Sequence, residues 1–198
     1  VEKLIVKVCG MREPENVTRV ASLKPNYLGF IFVPESARYV GQEFDPAIVA
    51  GLPAGVRSVA VFRDALVPDV VDTVTRYGFH AVQLHGSEDE AFVGQLKERL
   101  ATVTILKAIS VRSPEVLASL GDSSAIDYYL FDAREGGSGE RFDWSLLSHY
   151  QGRTPFLVAG GVGPENLTEL REVASRCEQF CGVDLNSRVE TSPGVKNL

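Results

Sequence analysis

The chain has 198 residues, of which 44% are hydrophobic and 23% charged, a balance that is typical of globular proteins and argues against disorder and fibrous repeats. At about 150 residues per domain, we expect one domain over residues 1–198. Lysine and arginine total 20 against 26 acidic residues, a net charge of −6 without a long basic block, so we expect no nucleic-acid partner. No uncharged run exceeds 11 residues, whereas a membrane-spanning helix needs about 20, so we expect no membrane partner.

The cysteines and the N-terminal segment both favour a cytoplasmic protein. Cys9, Cys177 and Cys181 form an odd, sparse set, which suits a reducing compartment better than a disulfide framework. Val1 to Gly10 lack the long apolar stretch of a signal peptide. Cys177 and Cys181 have no histidine nearby to complete a zinc site, so we expect no metal and interpret both as packing residues.

Short apolar runs alternate with amphipathic segments along the whole chain. Most of the apolar runs are continuous, as in parallel strands that are buried on both faces. The predicted strands are Leu4–Val8, Tyr27–Val33, Ser58–Phe62, Ala81–Leu84, Thr104–Ala108, Tyr128–Phe131, Phe156–Val158 and Phe180–Val183. The predicted helices are Pro14–Leu23, Pro46–Gly51, Val67–Tyr77, Glu88–Leu100, Pro114–Gly121, Trp144–Tyr150 and Pro164–Ala174.

This order of elements predicts an α/β fold of repeated βαβ units, either an open doubly wound sheet or a closed (β/α)8 TIM barrel. An open sheet usually has a glycine-rich phosphate turn after its first strand, but here the first strand ends in Val8-Cys9-Gly10-Met11, without a GxGxxG pattern. The glycine-rich turns instead follow strands six and seven, at residues 136–139 and 160–163, which favours a small TIM barrel. Since few residues follow Lys196, the eighth outer helix is expected to be short or missing.

In such a barrel the active residues lie at the C-terminal ends of the strands. Cys9 ends the first strand before a glycine, so it is either a small buried side chain or a catalytic thiol. Asp132 follows three apolar residues, where burial favours a protonated carboxyl that donates a proton near neutral pH. The alternative for Asp132 is a helix cap or an ion pair with Arg134 or Arg141.

The glycine turn at Gly160 and Gly161 leaves a strand and enters a helix, where backbone N–H groups and the helix dipole favour an anion such as phosphate. The loop that holds Asp184, Asn186 and Ser187 is placed to complete the cradle. Tight turns that need a positive φ are the alternative explanation of these glycines.

Three further polar residues at strand ends have two interpretations each. Arg38 forms either a surface salt bridge or a bidentate contact to a carboxylate over the barrel mouth. His85 is either a rim residue with its polar atoms satisfied or a substrate contact. Lys107 is interpreted as a member of a structural ion pair.

Together these residues resemble the phosphoribosylanthranilate isomerase family. The matching segments are 7–11, 29–32, 36–40, 59–62, 82–86, 131–132, 136–139, 142–144, 159–161, 164–166, 182–184, 189–190 and 193–196. They cover nearly the whole chain and lie at the expected strand ends.

The resemblance implies an Amadori rearrangement without cofactor or metal, in which N-(5-phosphoribosyl)anthranilate becomes 1-(2-carboxyphenylamino)-1-deoxyribulose 5-phosphate. It implies that Cys9 is the general base, Asp132 the general acid and Arg38 the ligand of the anthranilate carboxylate. The implied substrate-binding set also contains His85, Gly137, Ser138, Gly160, Gly161, Asp184, Asn186 and Ser187. A phosphorylated small molecule is the implied partner, and the protein is expected to be a monomer or a homodimer.

Two departures from the family pattern concern the loops. Ser138 stands where threonine is frequent and keeps the hydroxyl. Asn186-Ser187-Arg188 replaces a more usual Ser-Ser-Gly, which leaves the phosphate ligands of that loop open.

Two other functions remain as alternatives, namely another phosphosugar barrel enzyme and a catalytically inactive phosphate-binding module. The aldose–ketose isomerase of histidine synthesis has an aspartate where Cys9 stands, and an indole-forming synthase needs a lysine and a glutamate that the pattern does not supply. A binding module needs neither Cys9 nor Asp132. Lys7, two residues before Cys9 on the same side of a regular strand, is a candidate for tuning the thiol.

Overall fold

A computed structural model describes residues 4–42, 44–133 and 141–198. Eight parallel strands follow one another around a closed barrel in chain order, and β8 pairs with β1. The predicted TIM barrel is therefore confirmed. The strands are β1 Ile5–Val8, β2 Tyr27–Ile31, β3 Arg57–Phe62, β4 Ala81–Leu84, β5 Thr104–Ser110, β6 Tyr128–Asp132, β7 Phe156–Val158 and β8 Phe180–Leu185.

Short α-helices cover the outside of the barrel, and several begin as their sequences predict. Proline occupies the first turn of α1, α2, α3 and α5, where its missing N–H leaves no helical hydrogen bond unmade. Asp45 and Asp89 cap α2 and α4 by accepting backbone N–H groups. The helices are α1 Pro14–Ser22, α2 Pro46–Ala50, α3 Val67–Tyr77, α4 Glu90–Arg99, α5 Pro114–Ala118 and α6 Leu167–Ala174.

The side chains of each strand alternate between the lumen and the layer beneath the helices. The lumen contains a small apolar cluster that includes Val59, Val61, Ala81 and Leu106. The larger core, to which Phe30 and other aromatic residues belong, lies between strands and helices. Because β6 and β8 run further than predicted, Asp132 and Asp184 are strand residues held by the barrel ladder.

The predicted α-helix at Trp144–Tyr150 is wrong in type. The segment is a 3-10 helix over Trp144–His149. Its buried residues Trp144, Leu147 and Tyr150 recur every third position, and side chains three apart lie on one face of a 3-10 helix.

Two other predicted helices begin later than expected. The helix predicted from Pro164 begins at Leu167, because the Asn166 side chain bonds the Gly163 N–H and the Gly161 carbonyl and closes a turn there. The helix predicted from Glu88 begins at Glu90.

After β8 the chain forms a 3-10 turn over Ser187–Val189 and an antiparallel hairpin of β9 Glu190–Ser192 and β10 Val195–Lys196. No α-helix follows β8 within the described residues. Across 4–42, 44–133 and 141–198, no helix combines the length and the apolar character that crossing a bilayer requires.

Candidate active site

A cavity of about 330 Å³ opens at the C-terminal mouth of the barrel. Most of the residues that the sequence predicts for the site line this cavity: Cys9, Arg38, His85, Asp132, Gly160, Gly161, Asp184, Asn186 and Ser187. The predicted residues Gly137 and Ser138, with the rest of their glycine turn, lie outside the described residues. The cavity thus gathers side chains from strands on opposite sides of the barrel.

Cys9 lies at the end of β1 in contact with a buried ion pair. The Lys7 side chain is fully buried, and its Nζ donates a 2.8 Å hydrogen bond to Oδ2 of Asp184 on β8. The Lys7 ammonium also interacts electrostatically with Cys9, as its position two residues earlier on the strand predicts. Oδ1 of Asp184 is buried and has no hydrogen-bond partner among the described residues, so it is an acceptor for a ligand.

The three groups shift one another's protonation. Burial raises the pKa of the Cys9 thiol, and the Lys7 ammonium opposes that rise. Burial by itself disfavours the ammonium, yet Asp184 and Cys9 outweigh it and raise the pKa of Lys7. Burial also raises the pKa of Asp184, against the pull of Lys7. Lys7 is therefore the charge that stabilises the Cys9 thiolate when it forms.

Asp132, the last residue of β6, is 5% exposed. Its Oδ1 accepts the N–H of Ala133 at 2.7 Å, and its Oδ2 lies 3.4 Å from Nε2 of His85. The predicted alternative of an ion pair with Arg141 is wrong, because Arg141 pairs with Glu169. Arg134, the other suggested partner, lies outside the described residues.

His85 is oriented from both sides of its ring. Its Nδ1 lies 2.8 Å from Nε2 of Gln83, while its Nε2 faces Asp132. With the Gln83 amide placed so that its N–H donates to Nδ1, a neutral ring carries its proton on Nε2. His85 therefore presents an N–H to the Asp132 carboxylate.

A buried ion pair supports the loop that carries His85. Nζ of Lys107 lies 2.8 Å from Oε2 of Glu88 and donates to the Gly86 carbonyl at 2.6 Å. Glu88 also accepts the backbone N–H groups of Asp64 and Gly86. The predicted role of Lys107 in a structural ion pair is confirmed, and its partner Glu88 ties the loop after β4 to the loop after β3.

Arg38 faces the cavity but is not isolated. Its Nε and Nη2 form a fork on the Glu190 carboxylate at 3.0 and 2.7 Å. Nζ of Lys196 donates to the same carboxylate at 2.6 Å. Burial alone raises the pKa of Glu190, but hydrogen bonds from Arg38 and Lys196 prevail and lower it. Arg38 therefore does form a salt bridge, but a buried one and not the surface salt bridge of the first interpretation. It leaves Nη1 without a partner among the described residues.

The predicted anion cradle consists of two loops on the same side of the mouth. Gly160 and Gly161 adopt φ values of 70° and 66°, a conformation that glycine adopts without strain. A Cβ on Gly160 would lie 2.5 Å from Oδ1 of Asp132, so this turn also abuts the carboxylate. Asn186 and Ser187 lie across from it, and Arg188 pairs with Glu165 at 3.3 Å.

Sequence reasoning did not assign roles to Glu190 and Lys196, although both lie in segments that carry the resemblance. Gln83 likewise lies in a matching segment, 82–86, without a role of its own. The signal for Gln83 is its position two residues before His85 on the same face of β4. No local pattern connects Glu190 with Arg38, which lies 152 residues earlier.

Comparisons with known proteins agree with this geometry. The family described as N-(5'-phosphoribosyl)anthranilate (PRA) isomerase matches residues 6–198. An N-(5'-phosphoribosyl)anthranilate isomerase from Parabacteroides distasonis is 38% identical over 98% of this chain and 89% of its own length.

Two solved structures share the fold over most of both chains. A phosphoribosylanthranilate isomerase in complex with reduced 1-(o-carboxyphenylamino)-1-deoxyribulose 5-phosphate has a TM-score of 0.77 and 26% identity, covering 98% of this chain and 93% of the other. Monomers of the dimeric phosphoribosylanthranilate isomerase of Thermotoga maritima have a TM-score of 0.80 and 27% identity, with the same coverage. By the family match and the 38% identical relative, this chain belongs to the N-(5'-phosphoribosyl)anthranilate isomerase family.

Proposed function

We propose that this chain isomerises N-(5'-phosphoribosyl)anthranilate to 1-(2-carboxyphenylamino)-1-deoxyribulose 5-phosphate in tryptophan biosynthesis, with Cys9 as general base and Asp132 as general acid. The observation that carries the assignment is that a buried thiol and a buried carboxyl, on β1 and β6, line one cavity. A cation and a glycine-rich loop line the same cavity, as a substrate with a carboxylate and a phosphate requires.

Asp132 performs the first step. It gives its proton to the furanose ring oxygen while the anilino nitrogen supplies electrons to C1, so that the C1–O bond breaks and a protonated Schiff base forms. The N–H of His85 faces Oδ2, and the N–H of Ala133 donates to Oδ1. These two donors stabilise the carboxylate that this step leaves behind.

Cys9 performs the second step. As a thiolate it removes the proton from C2, and the electrons of the C–H bond move to the Schiff base to give an enolamine. The enolamine tautomerises to the aminoketose product. Since Cys9 gains one proton and Asp132 has lost one, the enzyme returns to its starting state by net proton transfer from thiol to carboxylate.

The remaining groups orient the substrate between acid and base. Arg38 binds the anthranilate carboxylate, and Gly160, Gly161 and the Asn186–Ser187 loop bind the phosphate. The unpartnered Oδ1 of Asp184 accepts a hydrogen bond from a sugar hydroxyl. Positioning of this kind supplies a large part of the rate enhancement when reacting groups are held in line.

The wider setting is part of the proposal. We propose that residues 1–198 act as one domain, in the cytoplasm, as a monomer or homodimer and without a nucleic-acid partner. Side chains alone perform the proton transfers of the proposed mechanism, without a cofactor or metal. Size-exclusion chromatography with light scattering distinguishes the two oligomeric states.

The test follows the fluorescence of the anthranilate group as substrate, generated in situ, is consumed by purified protein. The wild type is run beside Cys9→Ser and Asp132→Asn, and thermal melting shows that each variant is folded. Loss of fluorescence beyond spontaneous hydrolysis, abolished in both variants, supports reaction and roles together. An inactive wild type refutes the reaction, and an active variant refutes the role of that residue.

A further inference from the structure

The orientation and charge of Arg38 depend on a short chain of ion pairs that reaches the C-terminal hairpin. Arg38 is 12% and Glu190 5% exposed in their side chains, and Lys196 is 2% exposed. The three therefore form a buried cluster next to the cavity rather than a surface salt bridge. Such clusters respond strongly to the loss of one member.

Glu190 fixes the direction of the guanidinium. Three donor–acceptor contacts between 2.7 and 3.0 Å join Nε and Nη2 of Arg38 to the two Glu190 oxygens. The stem of Arg38 packs against Gly10, where an added Cβ would lie 2.6 Å from Arg38 Cδ. With one edge of the planar group occupied and its stem confined, the Nη1 edge is the one left for a ligand.

Lys196 compensates for the negative charge of Glu190 next to Arg38. Arg38 and Glu190 alone form a neutral pair, which attracts a second carboxylate weakly. Nζ of Lys196 lies 2.6 Å from Oε1 of Glu190 and 2.8 Å from Oδ1 of Asn186. Burial lowers the pKa of Lys196, and the Glu190 carboxylate opposes that shift. The neighbours of Nζ at hydrogen-bond distance are oxygen acceptors, as an ammonium requires. With Lys196 as an ammonium, the three groups carry a net charge of +1.

The hairpin holds Lys196 in place by its backbone. The Lys196 N–H donates to Oδ1 of Asn16 at 2.8 Å, and Nδ2 of Asn16 donates to the Lys196 carbonyl at 2.9 Å. Asn16 lies in α1 and is 7% exposed. The Gly194 N–H, in the hairpin turn, adds a further hydrogen bond to Glu190 at 3.1 Å. The hairpin thus delivers both the carboxylate and the second cation to the site.

We propose that Glu190 and Lys196 are positioning residues for substrate binding: Glu190 aims the Arg38 guanidinium at the anthranilate carboxylate, and Lys196 neutralises Glu190 so that the positive charge of Arg38 remains available to the ligand. This inference rests on the proposed function, because it takes the ring carboxylate as the anion that Arg38 meets. Arg38 contacts the carboxylate, whereas Glu190 and Lys196 contribute to the specificity for it without contacting it.

The test compares two ligands that differ in one group, the reduced product analogue with its ring carboxylate and the same phosphorylated analogue without it. Isothermal titration gives the ratio of the two dissociation constants for each protein. We expect the wild type to favour the carboxylate analogue by about tenfold or more, which corresponds to about 1.4 kcal/mol or more. Arg38→Met sets the lower limit of that ratio.

Lys196→Met keeps the fork but removes the compensating charge, whereas Glu190→Gln keeps both cations but removes the carboxylate on which the fork forms. Each is expected to bring the ratio to within about threefold of the Arg38→Met value, because the affinity for the carboxylate analogue falls more than the affinity for the analogue without it. Lys97→Met is the matched control. Nζ of Lys97 lies 2.7 Å from Oδ2 of Asp127, and neither residue lines the cavity. It is expected to leave the ratio unchanged.

The outcomes separate the two proposals. If both variants weaken the two ligands equally, the residues have a general structural role and the inference is wrong. It is equally wrong if either variant keeps the wild-type ratio. A wild type that does not favour the carboxylate refutes the orientation in the proposed function and the inference with it. A variant that does not fold is replaced by the other, since each removes a different part of the cluster.

Discussion

Replacing Lys7 with methionine removes the cation that lies between Asp184 and Cys9. The ammonium is 2.8 Å from Oδ2 of Asp184, where two unit charges attract by about 6 kcal/mol at an effective dielectric constant of about 20. Loss of one partner leaves the other charge buried, which typically costs about 3–5 kcal/mol of folding stability. We expect a loss in that range for Lys7→Met, measured by urea unfolding at neutral pH.

The same substitution is expected to change the reactivity of Cys9. Burial already raises the pKa of this thiol, and Lys7 is the foremost group that lowers it. Without Lys7 the pKa rises further, so alkylation of Cys9 by iodoacetamide requires a higher pH. Mass spectrometry of the Cys9 peptide separates this signal from Cys177 and Cys181.

A double variant distinguishes the two effects. Lys7→Met/Asp184→Asn removes both charges of the pair, so most of the lost stability is expected to return. The alkylation profile of Cys9 is expected to stay at high pH, because the neighbouring ammonium is still absent. An unchanged Cys9 profile in Lys7→Met would refute the role of Lys7 in stabilising the thiolate. If Lys7→Met alone is as stable as wild type, the buried charge of Asp184 is compensated in another way, and the expected loss of stability is wrong.

Three further substitutions probe other parts of the site. In Gly29→Ala the new Cβ would lie 2.8 Å from the Cys9 sulfur. Because this displaces the thiol, kcat is expected to fall about 10–100-fold, while competitive inhibition by inorganic phosphate persists. An unchanged kcat contradicts this. Lys107→Met leaves Glu88 buried without its cation and is expected to cost about 3–5 kcal/mol in urea unfolding, partly recovered in Lys107→Met/Glu88→Gln, in which the amide oxygen still accepts a backbone N–H; a loss below about 1 kcal/mol contradicts it. Because the pKa of Glu190 is lowered on folding, its contribution to stability is complete above the ordinary value of 4.5 and disappears as pH falls through the lowered value. Glu190→Gln should therefore flatten the loss of stability below pH 4.5, and parallel acid slopes for the two proteins in thermal melts would refute this.

The barrel and the ends of its strands could be predicted because buried parallel strands have a local signature. Continuous apolar runs predict them, and the first polar residue after a run marks the mouth of the barrel. Cys9 and Asp132 were found in this way, each directly after apolar residues. The same locality explains one mistake, since the segment Trp144–Tyr150 was predicted as a helix without a signal that distinguishes an α-helix from the 3-10 helix observed.

Contacts between distant parts of the chain could not be predicted by such patterns. The fork of Arg38 on Glu190 joins residues 152 positions apart, and hydrophobic periodicity contains no information on which carboxylate meets which cation. The start of α6 was misplaced for a related reason. A proline at a first helical position predicts a helix start, but the side chain of Asn166 closes a turn instead.

The join between Asn16 and Lys196 spans 180 residues and lies beside the β1–β8 pairing that closes the barrel. Contacts of such separation form only after the loop-closure entropy of nearly the whole chain has been overcome. The ion pairs around Arg38 are therefore expected to form only when the two ends of the chain have come together. A chain without the C-terminal hairpin lacks both Glu190 and Lys196, and with them the ion pairs that orient Arg38. The time at which the proposed carboxylate selectivity returns during refolding would therefore report when β1 and β8 pair.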